Sequence, residues 1–177
     1  MHSAAGLELV RRAKEGDEAA FTSLLRPLLE PAYRLAFGML QDRALAEDAV
    51  QEAAFKAWRK IHQLREGFEI RPWFFGIVAN ECRMSRRSPW WSLVKTAVPA
   101  VSSVAPDGLG AERIDLRRAL KELPLQRRLV VVMYFYLDLP LEEIAGITGV
   151  SFAAARGRLY RAIEHLRSAL GAEEAEA

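Results

Sequence analysis

The sequence predicts an all-α protein made of two small helical domains joined by a flexible linker. Apolar residues recur at helical spacing through residues 7–87, and no segment alternates apolar and polar residues as half-buried strands do. A stretch of proline, glycine and serine with few charges then separates two helical parts. The length of 177 residues, with 51% hydrophobic and 27% charged residues, fits an ordinary soluble protein of one or two domains.

The first predicted domain spans residues 5–88 and opens with two helices separated by a tight turn. Gly16 ends one helix and Asp17 caps the next. Pro27 and Pro31 lie within this second helix, and we expect them to kink or break it. Four residues form the apolar side of that helix, Phe21, Leu24, Leu25 and Leu28.

A third helix should begin at Asp42, which is a favourable N-cap residue. Pro72 suits the first turn of a further helix, which should run to Arg87. The third helix directs a stripe of residues toward the core, Leu45, Ala49, Ala53, Ala57 and Ile61. The small alanines in that stripe permit close helix packing.

A linker is expected over residues 89–111 and a second domain over residues 112–170, followed by an acidic tail at residues 171–177. Trp90 and Trp91 make the linker unusually apolar, so they should pack against a domain or a partner. In the second domain a short helix runs to Leu123, and Pro124 starts the next one. Residues 129–136 alone could form a strand, but helices flank them and no second strand is available, so we favour a buried helix.

Charged residues are unevenly distributed, although the formal net charge is only +2. Residues 83–95 contain four basic residues and no acidic one, and residues 156–167 contain four arginines and a single glutamate. Residues 42–52 instead contain four carboxylates and one arginine. This distribution indicates separate surfaces for separate partners.

Catalysis is not indicated by the sequence. The three histidines, His2, His62 and His165, are scattered, and neither a glycine-rich phosphate loop nor a metal-ligand cluster is present. We therefore expect no catalytic residue, no metal and no cofactor. The single cysteine, Cys82, fits a reducing compartment, and the residues after Met1 do not resemble a secretory signal, so we expect a cytoplasmic location.

The sequence PLEEIAGITGVS, residues 140–151, has the layout of a helix-turn-helix. Ala145 allows the two helices to approach closely, and Gly149 accepts a left-handed turn conformation. Val150 should fill the space between the helices, and Ser151 can cap the second one. This combination favours a DNA-binding motif.

The second helix of this motif should bury one side and expose another. Its buried stripe is formed by Ala155, Leu159, Ala162, Ile163 and Leu166. Arg156, Tyr160 and Arg161 lie on the outward side, where guanidinium groups can meet guanine edges or phosphates in the major groove. Arginines alone could equally keep a surface helix solvated.

The sequences DAVQEA, residues 48–53, and KAWR, residues 56–59, resemble the region 2 helix of extracytoplasmic-function sigma factors. The resemblance implies that this helix docks on the clamp helices of the RNA polymerase β′ subunit. The implicated residues form one mixed polar face at helical spacings of three and four, Asp48, Gln51, Glu52, Phe55 and Arg59. Without the resemblance, a solvated helix with Phe55 packed inward would be the preferred interpretation.

The sequence RPWFFGIVAN, residues 71–80, resembles the adjoining part of region 2, which melts and reads the −10 promoter element. The residues expected to contact DNA are Gly76, Asn80, Arg83, Arg86 and Arg87. Phe74, Ile77 and Val78 should face the core, and Trp73 is expected in the core rather than as a stacking platform. The resemblance places a loop that pockets a flipped base at about residues 64–70.

Residues 123–137 and LEEIA, residues 141–145, resemble region 4, which reads the −35 element and contacts the polymerase β flap. The resemblance implies promoter contacts by Ser151, Arg156, Arg158, Tyr160 and Arg161. Arg158 has the weaker role of contacting phosphate. Ala153, Ala154 and Gly157 stand where glycine, threonine and serine are usual in the family, so hydroxyl hydrogen bonds are lost and the −35 sequence should be atypical.

These motifs together imply a sigma factor that binds core RNA polymerase and directs initiation from particular promoters. The expected partners are core RNA polymerase, promoter DNA and an anti-sigma factor, with no small-molecule substrate. The alternative is a stand-alone helix-turn-helix regulator. Such a regulator would not need the face within residues 48–59 and would bind duplex DNA without polymerase.

Overall fold

A computed structural model of the chain describes residues 4–65, 69–87 and 111–174. These residues form eight α-helices and one short 3-10 helix, Ile61–Gln63, and none of them is in a β-strand, so the all-α prediction is confirmed. The N-terminal domain contains α1 (Ala4–Lys14), α2 (Glu18–Leu40), α3 (Arg43–Lys60) and α4 (Ile70–Arg87). The C-terminal domain contains α5 (Ala111–Glu122), α6 (Leu125–Tyr136), α7 (Leu141–Thr148) and α8 (Phe152–Glu174). Trp90, Trp91 and the rest of the expected linker before residue 111 lie outside the described residues, as do residues 66–68 and 175–177.

The starts of α2 and α3 are fixed by the two predicted aspartate caps. Asp17 accepts a hydrogen bond of 2.9 Å from the Ala20 amide, and Asp42 accepts one of 3.0 Å from the Leu45 amide. Each carboxylate satisfies an amide that has no partner within the first helical turn. Gly16, with φ +94°, adopts the left-handed conformation that ends α1.

Of the expected kink or break in α2, the break is wrong, because this helix runs through Pro27 and Pro31 without interruption. Each proline removes the hydrogen bond to the carbonyl four residues earlier. The two prolines are four residues apart and therefore lie on the same side of the helix, where Pro27 is exposed. The other side buries Leu24, Leu25 and Leu35, and this burial holds α2 together despite the lost hydrogen bonds.

The apolar run at residues 129–136 is helical, as predicted. Leu129, Val130 and Met133 are completely buried within α6. After α6 the chain turns through Asp138, whose φ of +49° is left-handed, and the Leu139 amide donates back to the Met133 carbonyl at 3.2 Å. β-Branched residues are thus accommodated in a helix, since tertiary burial outweighs their modest preference for strands.

The two domains share one hydrophobic core. α2 packs against α6, and α4 packs against α7. At the first contact, a Cβ added to Gly38 would lie 2.9 Å from both methyl carbons of Val132. The helix axes approach this closely only because position 38 lacks a side chain.

Candidate functional site

The mixed polar face predicted on α3 is on the surface. Its five residues are all exposed, Asp48, Gln51, Glu52, Phe55 and Arg59. The Phe55 ring is 56% exposed, so the interpretation in which it packs inward is wrong. The Arg59 guanidinium lies 5.7 Å from the centroid of that ring and covers one of its faces. An exposed aromatic ring flanked by carboxylates can bind a protein surface that is apolar at its centre and basic around it.

A partly buried ion pair fixes α3 relative to α4. The Lys56 ammonium donates to Glu81 at 2.7 Å and lies 3.2 Å from Glu52. The hydrogen bond to Glu81 raises the pKa of Lys56 above its ordinary value, and the Glu81 side chain is only 8% exposed. This pair is not evident from the sequence, because the two residues are 25 positions apart and no local pattern joins them.

α4 carries the residues that were expected to contact the −10 element. Asn80 is exposed and Gly76 is half-buried on the same side of the helix. Arg83 is half-buried and donates from Nε to the Ala79 carbonyl at 3.2 Å, so part of its guanidinium is engaged by its own helix. The side chains of Arg86 and Arg87 lie outside the described residues.

The opposite side of α4 forms the core of the N-terminal domain. Phe74 and Val78 are completely buried, as predicted, and Trp73 packs against the core while partly exposed. Phe75 is also completely buried, although it was not singled out from the sequence. α4 packs against α2 and α3 and also against α7, so it has packing partners on more than one side.

A cleft of about 380 Å³ separates α3 and α4 from α7. Lys56, Lys60, Asn80 and Glu81 provide its polar groups, and Gly146 and Ile147 line it from the C-terminal domain. Lys60 is a further cation beside the residues expected to contact the −10 element, and it was not among the residues predicted from the sequence. Its position at the last residue of α3, facing the same way as Lys56 one turn earlier, is the signal that could have identified it.

The predicted left-handed turn and serine cap of the helix-turn-helix are present, whereas Val150 is only half-buried and lies outside the hydrophobic core. Gly149 is left-handed with φ +68°, and the Val150 amide donates to the Ala145 carbonyl at 3.1 Å. The Ser151 hydroxyl accepts from the Ala154 amide at 3.2 Å and thereby caps α8. These hydrogen bonds fix the angle between α7 and α8.

α8 exposes the three residues expected to read DNA. Arg156 and Arg161 are exposed, and Tyr160 is 66% exposed, while Leu159 beside them is buried. Arg158 differs, because it is half-buried and donates to the Gln126 side chain at 3.4 Å. Gly157 leaves room for the Arg161 guanidinium, since a Cβ at position 157 would lie 3.4 Å from its nearest nitrogen.

Neither a reactive thiol nor a metal-binding cluster is found in the part of the chain that the structure describes. Cys82 is fully buried, and burial raises the pKa of its thiol to about 12. Within the described ranges, no group of three or more histidine, cysteine, aspartate or glutamate residues is placed to hold a metal ion. The described helices also include none that is both long enough and apolar enough to cross a membrane.

Comparisons with known proteins agree with this arrangement. Residues 24–92 match the model of sigma-70 region 2, and residues 113–166 match that of sigma-70 region 4. The chain is 32% identical over 173 residues to the RNA polymerase sigma factor CarQ of Myxococcus xanthus, covering 94% of this chain and 98% of CarQ. It is 28% identical over 165 residues to the sigma factor SigV of Bacillus subtilis, covering 92% and 98% of the two chains.

A solved structure shares the fold. The sigma factor RpoE of Bartonella quintana, in complex with the anti-sigma factor NepR, superposes with a TM-score of 0.72 at 23% identity, covering 85% of this chain and 96% of RpoE. The chain belongs to the sigma-70 family, and within it to the extracytoplasmic-function sigma factors.

The function follows from this membership and from the two domains. The chain is a sigma factor that directs RNA polymerase to promoters, and a stand-alone regulator is not favoured. Sigma factors are regulatory subunits rather than catalytic enzymes. The polymerase, promoter DNA and anti-sigma proteins are therefore the classes of partner to consider for the surfaces described above.

Proposed function

We propose that the chain binds core RNA polymerase through the α3 face, reads the −35 element with α8 and opens the −10 element with α4. The observation that carries this proposal is the separate exposure of the α3 face and the arginine-bearing side of α8. The polymerase holds the two domains so that their DNA-reading helices, α4 and α8, lie at a fixed distance from each other. Neither helix needs to bind DNA tightly by itself.

The β′ clamp helices are the proposed contact of the α3 face. Phe55 presents an exposed ring at the centre of the face, with Asp48 and Glu52 beside it. An exposed aromatic residue surrounded by polar groups is typical of an interface hot spot. The pair between Lys56 and Glu81 holds the helix in place, so little side-chain or backbone ordering is needed on binding.

Reading of the −35 element is assigned to Arg156, Tyr160 and Arg161 in the major groove. Their exposure leaves the two guanidinium groups able to make bidentate contacts with guanine. Ser151 already accepts a backbone hydrogen bond, so its hydroxyl hydrogen remains available for a phosphate at the helix N-terminus. Arg158, tied to Gln126, is assigned a phosphate contact at most.

Opening of the −10 element is assigned to α4 and the cleft beside it. Asn80 offers an amide to an unstacked base, and Gly76 allows the nucleic acid to approach the helix backbone closely. Arg83, Arg86 and Arg87 are assigned to the phosphates of the separated strand. Lys60 adds positive charge on the cleft's other wall, whereas the charge of Lys56 is balanced by Glu52 and Glu81.

Further partners are proposed by similarity and chemistry. The complex of RpoE with NepR supports an anti-sigma protein as a regulator of this chain. The C-terminal domain is assigned the contact with the polymerase β flap. We assign the chain no small-molecule substrate and no catalysis, and we place it in the cytoplasm, where the polymerase acts.

One experiment tests the proposal as a whole. The purified chain is combined with bacterial core polymerase, transcription is run on fragments of a genome, and the start sites are mapped. We expect new start sites that share one −10 and one −35 sequence at constant spacing. Failure of the chain to associate with core polymerase in the absence of any inhibitor contradicts the proposal, and so does tight binding to the duplex fragments without polymerase.

A further inference from the structure

We propose that Phe152, the first residue of α8, reads the 5-methyl group of a thymine in the −35 element. The element that this chain prefers then contains a thymine within one or two base pairs of the guanine that Arg156 contacts. Phe152 thereby joins Arg156, Tyr160 and Arg161 as a residue that determines promoter specificity. The inference rests on the proposed function of α8 as the reader of the −35 element.

The Phe152 side chain lies on the exposed side of α8, at the start of the helix. Phe152 is 42% exposed, whereas Ala155 and Leu159, three and seven residues later, are buried. Positions 152, 156 and 160 follow one another at intervals of about one helical turn. Phe152 therefore begins the exposed row that Arg156 and Tyr160 continue.

The stability of α8 does not account for a phenylalanine at this position. A negative charge stabilises the first turn of a helix, and phenylalanine is a poorer helix former than alanine. α7 has Glu142 and Glu143 in its first turn, but α8 has no acidic residue in its first turn. The start of α8 thus combines an exposed aromatic ring with a helix end whose partial positive charge no carboxylate side chain neutralises.

The surroundings of Phe152 favour DNA over a protein as its partner. Phosphates can approach the start of α8, because no carboxylate of the first turn repels them and the helix dipole attracts them. The next exposed side chain in the same row is the cation Arg156. On α3, by contrast, the exposed ring of Phe55 is flanked by carboxylates, which suit a basic protein surface and repel phosphates.

The chemistry of the major groove selects thymine as the base that Phe152 contacts. Thymine is the base that presents an apolar group there, its methyl group at carbon 5, and phenylalanine is one of the side chains that contact it. The two residues after Phe152 are Ala153, which is exposed, and Ala154, which is half-buried. Neither adds a hydroxyl or a charge beside the ring, so the ring can exclude water from the methyl group.

The geometry of α8 limits the position of this thymine. Phe152 and Arg156 are four residues apart, so they are separated by about 6 Å along the helix axis. Successive bases along a DNA strand are about 3.4 Å apart, which gives the separation of one or two base pairs. The Arg161 guanidinium lies back against Gly157, with a nitrogen 3.4 Å from where a Cβ of residue 157 would be. A second cation is thus held near the same base pairs.

Replacing thymine by deoxyuridine tests the contact, because this change removes the methyl group and keeps the base pair. The chain is assembled with core polymerase and titrated against labelled promoter fragments in which each −35 thymine, on either strand, is replaced in turn. We expect one replacement to weaken binding by about fourfold, which corresponds to about 0.8 kcal/mol for one buried methyl group. With the Phe152→Ala variant, the same replacement should have no effect.

Phe135→Ala is the matched control for this titration. Phe135 is also an exposed phenylalanine of the C-terminal domain, at 57%, but it lies on α6. The Phe135→Ala variant should keep the fourfold response to deoxyuridine. Equal responses of the unchanged chain and the Phe152→Ala variant overturn the proposal. A −35 element without thymine, or one in which no replacement weakens binding, overturns it as well.

A scrambled −35 element separates failure of this inference from failure of the proposed function. If the assembled polymerase binds the scrambled promoter as tightly as the original, α8 does not read the −35 element, and the proposed function fails together with this inference. If binding needs the −35 element but no methyl group in it, the role of Phe152 alone is wrong. Weaker association of the Phe152→Ala variant with core polymerase without DNA, at an unchanged response to deoxyuridine, assigns the ring to a protein contact and also overturns the proposal.

Discussion

Arginine residues in this chain differ in role because they differ in what their guanidinium groups contact. Arg128 is buried against three backbone carbonyls, whereas Arg83 bonds partly to its own helix and Arg161 is exposed above a glycine. The sequence correctly predicts that Arg156 and Arg161 face outward, since their helix has clear periodicity. It could not predict the partners of Arg128, because these are carbonyls brought close only by tertiary packing.

The exposed guanidinium of Arg161 leads to a prediction about promoter choice. Arg161→Ala should weaken −35-dependent transcription by about 1–3 kcal/mol of discrimination, measured as relative start-site usage on promoters with matched and mutated −35 elements. Arg167→Ala is the matched control, because Arg167 is also exposed and lies on α8 beyond the motif. The assignment of Arg161 is wrong if both variants lose the same activity on every −35 sequence.

Burial of Cys82 leads to a prediction about its reactivity. Since the thiolate is the reactive species and the pKa of this thiol is raised to about 12, alkylation by iodoacetamide at pH 8 should be very slow. We expect a rate at least about a hundredfold below that of the same chain unfolded in guanidinium chloride, where the thiol regains its ordinary pKa. The folded rate should rise with pH, and fast labelling of folded chain at pH 8 would contradict the buried position.

Helices differ in how fully the sequence specifies them. The starts of α2 and α3 follow from single aspartates, and the turn before α8 follows from Gly149 and Ser151, because caps and turns are local interactions. The continuity of α2 through Pro27 could not be predicted in this way. It depends on burial of the opposite side of the helix against partners distant in the sequence.

The N-cap of α3 should contribute measurably to stability. Asp42→Ala removes the acceptor for the Leu45 amide, so the free energy of unfolding should fall by about 1 kcal/mol in urea denaturation. Glu47→Ala, at an exposed position in the same helix, should change it by less than about 0.5 kcal/mol. Equal effects would show that the cap is not the cause.

The α3 face gives a prediction about assembly. Phe55→Ala should weaken binding of core polymerase by about 2 kcal/mol, measured by fluorescence titration, because an exposed ring at an interface centre is a typical hot spot. Leu29→Ala is the control, since Leu29 is a large exposed apolar residue on α2 away from this face. Circular dichroism should be unchanged in both variants. Normal polymerase binding by the Phe55→Ala variant would show that the α3 face does not contact the polymerase.

At the scale of the whole molecule, the sequence predicts two helical domains and the order of their motifs but not the contact between them. Gly38 and Val132 follow no shared pattern, and the local sign of their contact is a glycine inside a helix. The placement of α7 beside Gly76 is equally non-local. The sequence predicts that the residues expected to contact the −10 element lie on α4. It does not predict that α7 partly covers Gly76.

The division of labour between the domains can be measured with one substitution. Asn80→Ala should leave polymerase binding and −35 contact intact but reduce strand opening by roughly tenfold, on the basis of one lost contact to a flipped base. Permanganate reactivity of thymines in the −10 region measures the opening directly, and His62→Ala, at an exposed position outside the cleft lining, serves as the control. Loss of polymerase binding in Asn80→Ala would contradict this separation of roles.

The charge buried with Arg128 between the domains makes their association depend on temperature. Cooling weakens the attraction between apolar surfaces such as those of Val132 and α2. Cooling also makes the hydration of a guanidinium group more favourable, so the same change draws Arg128 toward water. Both effects have the same sign, so the contact between α2 and α6 weakens as the temperature falls.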